Sequence, residues 1–274
     1  IFKAIKFNKI SPEDLQFSYK GIFYPITLSS PETLEALKSF EARSDDVILI
    51  GYPKTGECCL LDRESNTQCC NPEVCRMKKL PSRRIIVTHL APHFLPQSFF
   101  QGKAKILVLA RNPKDTAVSY YHFNNNLPML PSFSSWDEYF AAFMNGRLGW
   151  GSYFDHLVEW NKRIDNERIM MISYEELKEN QVEGMKKIAS FFGFSLTEED
   201  FPRIAKKTSF QAMKEKSKET HGKLGNILFR KGVVGNWRDY FSKAQNEEMD
   251  RKFHDCLSGT KLAARMKYDV YCKA

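Results

Sequence analysis

The hydrophobic positions of this chain fall into short solid runs separated by longer amphipathic stretches. Val47-Ile48-Leu49-Ile50, Arg84-Ile85-Ile86-Val87-Thr88, Ile106-Leu107-Val108-Leu109-Ala110 and Ile169-Met170-Met171-Ile172-Ser173 are rich in β-branched and aliphatic residues. A strand with one wet face alternates apolar and polar side chains. A run that is apolar almost throughout is buried on both faces, as in a parallel sheet.

The stretches between these runs carry helix signals. Ser30 stands where it caps a helix beginning at Pro31, with Leu34, Leu37 and Phe40 along one face. Asp137 and Glu138 complement the start of a helix from about Trp136 to Met144. The segment from Val182 to Phe192 stops at Gly193, and Ser242 with Gln245 has capping-box spacing before Glu247 to Leu257. Buried strands alternating with helices predict an α/β fold, a three-layer sandwich around a central, mostly parallel sheet. Ligands of such sheets gather beyond the carboxyl ends of the strands. Tyr52-Pro53-Lys54, His89, Arg111 and Tyr174 all follow directly on those ends.

The 274 residues suit one large domain spanning 1–274, since no repeat, low-complexity tract or Pro/Gly/Ser linker divides them. The net charge of +8 favours anionic partners. Cations are interleaved with acids, as in Lys178-Glu179 and Lys214-Glu215-Lys216, which is the pattern of a solvated face and speaks against nucleic acid. No apolar run approaches the roughly 18 residues of a membrane helix. Ile1 to Ile10 lacks the apolar core of a signal peptide, and seven cysteines do not make a secreted disulfide framework. These features together predict a cytosolic protein without a membrane partner.

Three motifs suit phosphate groups. Gly51-Tyr52-Pro53-Lys54-Thr55-Gly56 is a strand-to-turn passage that can aim backbone N–H groups and an ammonium at an anion, or be an ordinary turn with a surface Lys. It lacks the Gly-Lys-[Ser/Thr] order of an ATPase loop, which argues against a nucleotide kinase. In Arg111-Asn112-Pro113-Lys114-Asp115-Thr116-Ala117-Val118-Ser119 the Arg supplies a donor fork, and Ser119 follows about two helical turns later. Arg230-Lys231-Gly232 places adjacent cations in a glycine-bracketed loop. A surface Arg beside a helix cap and a plain basic loop are the alternatives for these two.

The Tyr52-to-Gly56 turn, Thr88-His89-Leu90, the run from Arg111 to Ser119 continuing through Tyr120-Tyr121-His122-Phe123, and Arg230-Lys231-Gly232 occur in an order that resembles the cytosolic sulfotransferases. The likeness extends from about Tyr19 to the C-terminus. It is nearest to the 6B-type branch through Phe40-Glu41-Ala42-Arg43, Ser209-Phe210-Gln211-Ala212-Met213 and Thr220-His221-Gly222. The resemblance implies the P-loop-like sulfotransferase fold and the donor 3′-phosphoadenosine 5′-phosphosulfate (PAPS), with no metal. It assigns Lys54, Thr55, Gly56, Glu57, Cys58 and Cys59 to the 5′-phosphosulfate. Arg111, Ser119, Arg230, Lys231 and Gly232 fall to the 3′-phosphate, and Tyr174, Thr208, Ser209, Phe210 and Met213 to the adenosine. His89 is then the catalytic base and Lys54 the cation at the leaving oxygen. The acceptor is a small phenol or alcohol, with thyroxine-like iodophenols as one class, against aromatics such as Phe23, Tyr24, Phe123 and Trp150.

The chain departs from the family pattern after Gly56. A Thr or Asn and then Trp are replaced by Glu57-Cys58-Cys59, the apolar period ends after Leu61, and the distance to His89 is shorter by several helical turns. Glu57 brings a negative charge to an anion site. The alternative reading is accordingly a nucleotide- or ligand-binding relative with little or no turnover. Cys58, Cys59, Cys69, Cys70 and Cys75 lack the paired spacing of a zinc site. Val87 stands where many relatives carry Lys. In the family's dimer stretch, here Arg238 to Glu247, Lys243 replaces an apolar residue, so a homodimer is expected only with an altered contact.

Overall fold

The computed structural model describes residues 12–56, 67–68, 74–222 and 224–273. Two strands, β1 (Gln16–Tyr19) and β2 (Ile22–Pro25), pair as an antiparallel hairpin. The main sheet is formed by β3 (Val47–Gly51), β4 (Thr67–Gln68), β5 (Ile85–Thr88), β6 (Lys105–Ala110) and β7 (Ile169–Ser173). Its strands are all parallel, in the order β4-β5-β3-β6-β7.

Alternate side chains of these strands enter two different cores. Ile48, Ile50, Ile86, Ile106 and Val108 face a large cluster with the helices Pro31–Leu37, Pro113–Asn126, Trp136–Met144, Tyr153–Asn161 and Lys243–Leu257. Val47, Leu49, Val87, Leu107, Leu109 and Ile172 face a smaller one with Leu177 and Phe192, from the helices Tyr174–Glu179 and Gln181–Phe192. Both faces are covered, which is why the runs are apolar almost throughout. The expected three-layer arrangement is the observed one.

Local chemistry fixes the helix ends. Ser30 accepts from the Thr33 N–H with Pro31 at the first helical position, and Gly193 ends its helix at φ 71°. Ser242 and Gln245 form both halves of the capping box, although the helix starts at Lys243 rather than Glu247. Among the described residues no helix is long and apolar enough to cross a membrane.

Strand order sets the site. β3 lies centrally with β5 on one side and β6 on the other, so the order in which strands are added reverses across β3, a topological switch point. His89, the Tyr52-to-Gly56 turn, Arg111 and Tyr174 therefore succeed one another along the carboxyl edge on four neighbouring strands.

Candidate active site

The register pairs Ile50 with Thr88, which brings the next residues, Gly51 and His89, level. His89 is 7% exposed, and its Nδ1 lies 2.7 Å from the Gly51 carbonyl oxygen. A carbonyl only accepts, so Nδ1 carries the proton and the lone pair falls on Nε2. The Trp150 ring meets the imidazole edge-on at 5.2 Å between centroids. Phe23 and Tyr24 lie on β2, and the Phe23 carbonyl accepts from the Trp150 N–H.

The turn after β3 is tightly wound. Thr55 is fully buried, and its hydroxyl donates to the Tyr52 carbonyl at 2.8 Å. Lys54 takes a left-handed backbone with φ 72°, unusual for a residue with a side chain. Its ammonium lies 4.6 Å from the centre of the Phe123 ring and 3.4 Å from the Leu228 carbonyl oxygen. Gly56 has φ 109°, and a Cβ there would stand 2.7 Å from the Tyr174 ring. Glu57, Cys58 and Cys59 lie outside the described residues, as do the side chains of Cys69, Cys70 and Cys75.

Arg111 ties the motifs together. Its guanidinium donates to the Lys54 carbonyl at 3.2 Å and to the Val233 carbonyl at 3.1 Å, and stacks 4.3 Å from the centre of the Tyr174 ring. Its Nε is buried and has no hydrogen-bond partner among the described residues. Half-buried Arg230 donates to Asn236 Oδ1 at 2.6 Å. Burial holds its pKa below the ordinary value, and the Arg111 charge adds to that depression. The Asp115 and Asp239 carboxylates offset part of that repulsion, and a bound anion would offset more. His122 on the helix Pro113–Asn126 senses the same field. Burial first, then the Arg230 and Lys231 charges, push its pKa down to about 4.

Not every predicted residue reaches toward this centre. Exposed Lys231 turns to Asp239 at 3.3 Å, and half-buried Ser119 stays on its helix. Ser209 Oγ accepts from the Ala212 N–H at 3.3 Å. Tyr174, Thr208, Phe210 and Met213 are among the residues that line a mostly apolar cavity of about 240 Å³. Gly232 has φ 66°, and a Cβ there would overlap the Phe210 ring.

The motif reading missed the scaffold beneath Arg111. Asn112 caps the helix by accepting from the Asp115 N–H, and Asp115 accepts the Gly235 and Trp237 N–H groups at 2.7 and 3.0 Å. That carboxylate fixes the Arg230 loop to the Arg111 helix. Buried Glu175 accepts from the Asn112 N–H and amide, and desolvation raises its pKa. The sequence Asn-Pro-x-Asp carried a signal for the cap, but none for the loop 120 residues away.

Buried histidines give the fold a pH dependence. Burial, then His89 and His93, lower His156 to about 3, and His122 stands at about 4. An unfolded chain protonates both near about 6.5. The unfolded state therefore binds more protons below that pH, and stability falls as pH drops from there toward 3–4. We expect Tm to decline over this window and the decline to be shallower in His156→Phe. An unchanged slope in that variant would contradict the assignment.

A parallel sheet with a lysine-bearing turn at its switch point and a histidine at the end of the next strand suits a transferase of anionic groups. Residues 57–262 match the sulfotransferase domain family, and the chain belongs to that family, in its 6B-type branch. Mouse Sulfotransferase 6B1 is 48% identical over 98% of this chain and 95% of its own length. Gorilla Sulfotransferase 6B1, 48% identical, aligns over 292 positions that take in 100% of this chain and 96% of the relative. Since this chain has 274 residues, the relative carries internal residues that it lacks. The crystal structure of mouse sulfotransferase SULT7A1 complexed with PAP has a TM-score of 0.86 at 34% identity, covering 94% of this chain and 100% of that one. Among the described residues no group of three or more His, Cys, Asp or Glu is arranged for a metal ion.

Proposed function

We propose that this sulfotransferase acts in the cytosol on PAPS and a small phenolic or alcohol acceptor, with His89 as general base and Lys54 at the leaving oxygen. The observation that carries the reading is the link across three adjacent strands: His89 Nδ1 to the Gly51 carbonyl, and Arg111 to the Lys54 carbonyl. The backbone of β3 and its turn holds both base and arginine.

The residues fit the donor. Arg111 and Arg230, with Arg111 Nε buried and without a hydrogen-bond partner among the described residues, suit a 3′-phosphate beside Gly232, and Lys231 and Ser119 join them only by turning from Asp239 and from the helix. The cavity beside Tyr174, Thr208, Phe210 and Met213, with Ser209 between them, is apolar enough for a purine. The turn at Lys54, Thr55 and Gly56 is left for the 5′ end. PAPS supplies an activated sulfuryl group and a phosphate oxygen that departs as an anion.

The chain's own groups then divide the work. His89 Nε2 takes the acceptor hydroxyl proton, and the imidazolium so formed keeps its Nδ1–H on the Gly51 carbonyl. Lys54 offsets charge at the leaving oxygen, as cations do in phosphoryl transfer. Trp150, Phe23, Tyr24 and Phe123 wall the acceptor side.

The 6B-type likeness favours iodophenols of the thyroxine kind among acceptors. Transfer from labelled PAPS to a panel of iodophenols, simple phenols and aliphatic alcohols tests this. Faster turnover of the phenols is expected, and transfer to alcohols alone would sink the phenol preference. Gly232→Ala forces a side chain onto a left-handed backbone at about 1–2 kcal/mol, so affinity for 3′-phosphoadenosine 5′-phosphate (PAP) should fall roughly tenfold or more. Calorimetry reads this directly, and wild-type affinity in that variant would count against the loop's assignment.

A further inference from the structure

Trp150, the residue packed on His89, has φ 65°, a left-handed backbone that a bulky side chain adopts only when its surroundings hold it there. Three elements do so. The Trp150 N–H donates to the Phe23 carbonyl of β2 at 2.8 Å. The Tyr120 hydroxyl, from the helix Pro113–Asn126, donates to the Gly149 carbonyl at 3.2 Å. The Tyr52 hydroxyl donates to the Gly151 carbonyl at 2.8 Å. The carbonyls on either side of Trp150 are thus each gripped by a tyrosine. The two rings meet edge-on at 5.8 Å and are both buried.

Tyr52 also follows Gly51, whose carbonyl holds His89 Nδ1. That hydrogen bond breaks if the imidazole pivots about its Cβ–Cγ bond, because Nδ1 lies off that axis. The edge-on Trp150 ring blocks the pivot, and Trp150 is itself only 7% exposed. Burial pushes both tyrosine hydroxyls well above their usual pKa, so they remain donors at any working pH.

We infer that Tyr52 and Tyr120 are positioning residues for His89, acting through Trp150: their hydroxyls lock residues 149–151 so that the indole fixes the imidazole plane. The inference rests on the reading of His89 as base. Its consequence is that two residues outside the reacting centre set the rate without touching either substrate.

The test uses Tyr52→Phe, Tyr120→Phe and their combination, each removing only a hydroxyl, in the wild-type and Trp150→Gly backgrounds. In the wild-type background the combined variant should lose about tenfold in kcat, the scale of a slightly misplaced group, with KM for PAPS nearly unchanged. In Trp150→Gly the same substitutions should cost nothing more, because the grip has no indole to place. An equal loss in both backgrounds, or none in either, would overturn the inference. Imidazole ¹⁵N spectra, assigned through His89→Asn, give a readout independent of turnover. Wild type should show His89 protonated at Nδ1, and the combined variant a mixture of tautomers. If wild type transfers nothing, the base assignment fails by itself, and an unchanged tautomer in the combined variant would still refute the grip.

Discussion

Replacing His89 with Ala is expected to lower kcat for sulfuryl transfer by about 10²–10⁴-fold, the usual contribution of a positioned general base. The Gly51 carbonyl assigns the Nδ1 proton, and the remaining lone pair on Nε2 lies on the nitrogen that can accept a hydroxyl proton. PAP affinity should be nearly unaffected, because the groups that fit its phosphates belong to other strands. Steady-state kinetics and calorimetry on the same preparation separate the two. A large loss of PAP affinity with little change in kcat would mean that His89 serves binding and not proton transfer.

The second large effect is expected at Arg111. Arg111→Met removes a charge-assisted donor fork worth about 1.5–3 kcal/mol per bond, so PAP affinity should drop about 10²-fold or more. The loss has two sources. The guanidinium itself disappears, and the Lys54 and Val233 carbonyls lose the group that holds cradle and loop together. Arg111→Lys keeps the charge but not the fork, and should recover little. Thermal melting in parallel guards against simple unfolding. Near-full recovery by Lys would show that only net charge matters there.

The sequence carried most of the sheet because its signal is local. Val47 to Ile50 or Ile106 to Ala110 can hardly be anything but strands buried on both faces, and both are strands. His89, Arg111 and Tyr174 were legible as edge residues because each directly follows such a run. The hairpin Gln16–Pro25 was not legible. Gln16-Phe17-Ser18-Tyr19 alternates but is only four residues long, and Ile22-Phe23-Tyr24-Pro25 is apolar on both faces and hides the alternation of a strand.

Partners distant in sequence were beyond local reading. Lys114 looks as suited to phosphate as Lys54, yet it is fully buried, paired with Asp250 and bonded to the Cys272 carbonyl at 2.6 Å. Only the fold distinguishes the two lysines. Asp115 and Tyr52 tell the same story, for their partners at Gly235 and Gly151 follow from tertiary placement and not from spacing. Residues 57–59, where the chain departs from the family pattern, lie outside the described residues, so the cradle rests on Lys54, Thr55 and Gly56.

The most direct test is single-turnover transfer from radiolabelled PAPS to a phenol by the wild-type protein. Labelled aryl sulfate should form in wild type and nearly vanish in His89→Ala. A folded wild-type protein that binds PAP and yet yields no labelled product would contradict the account.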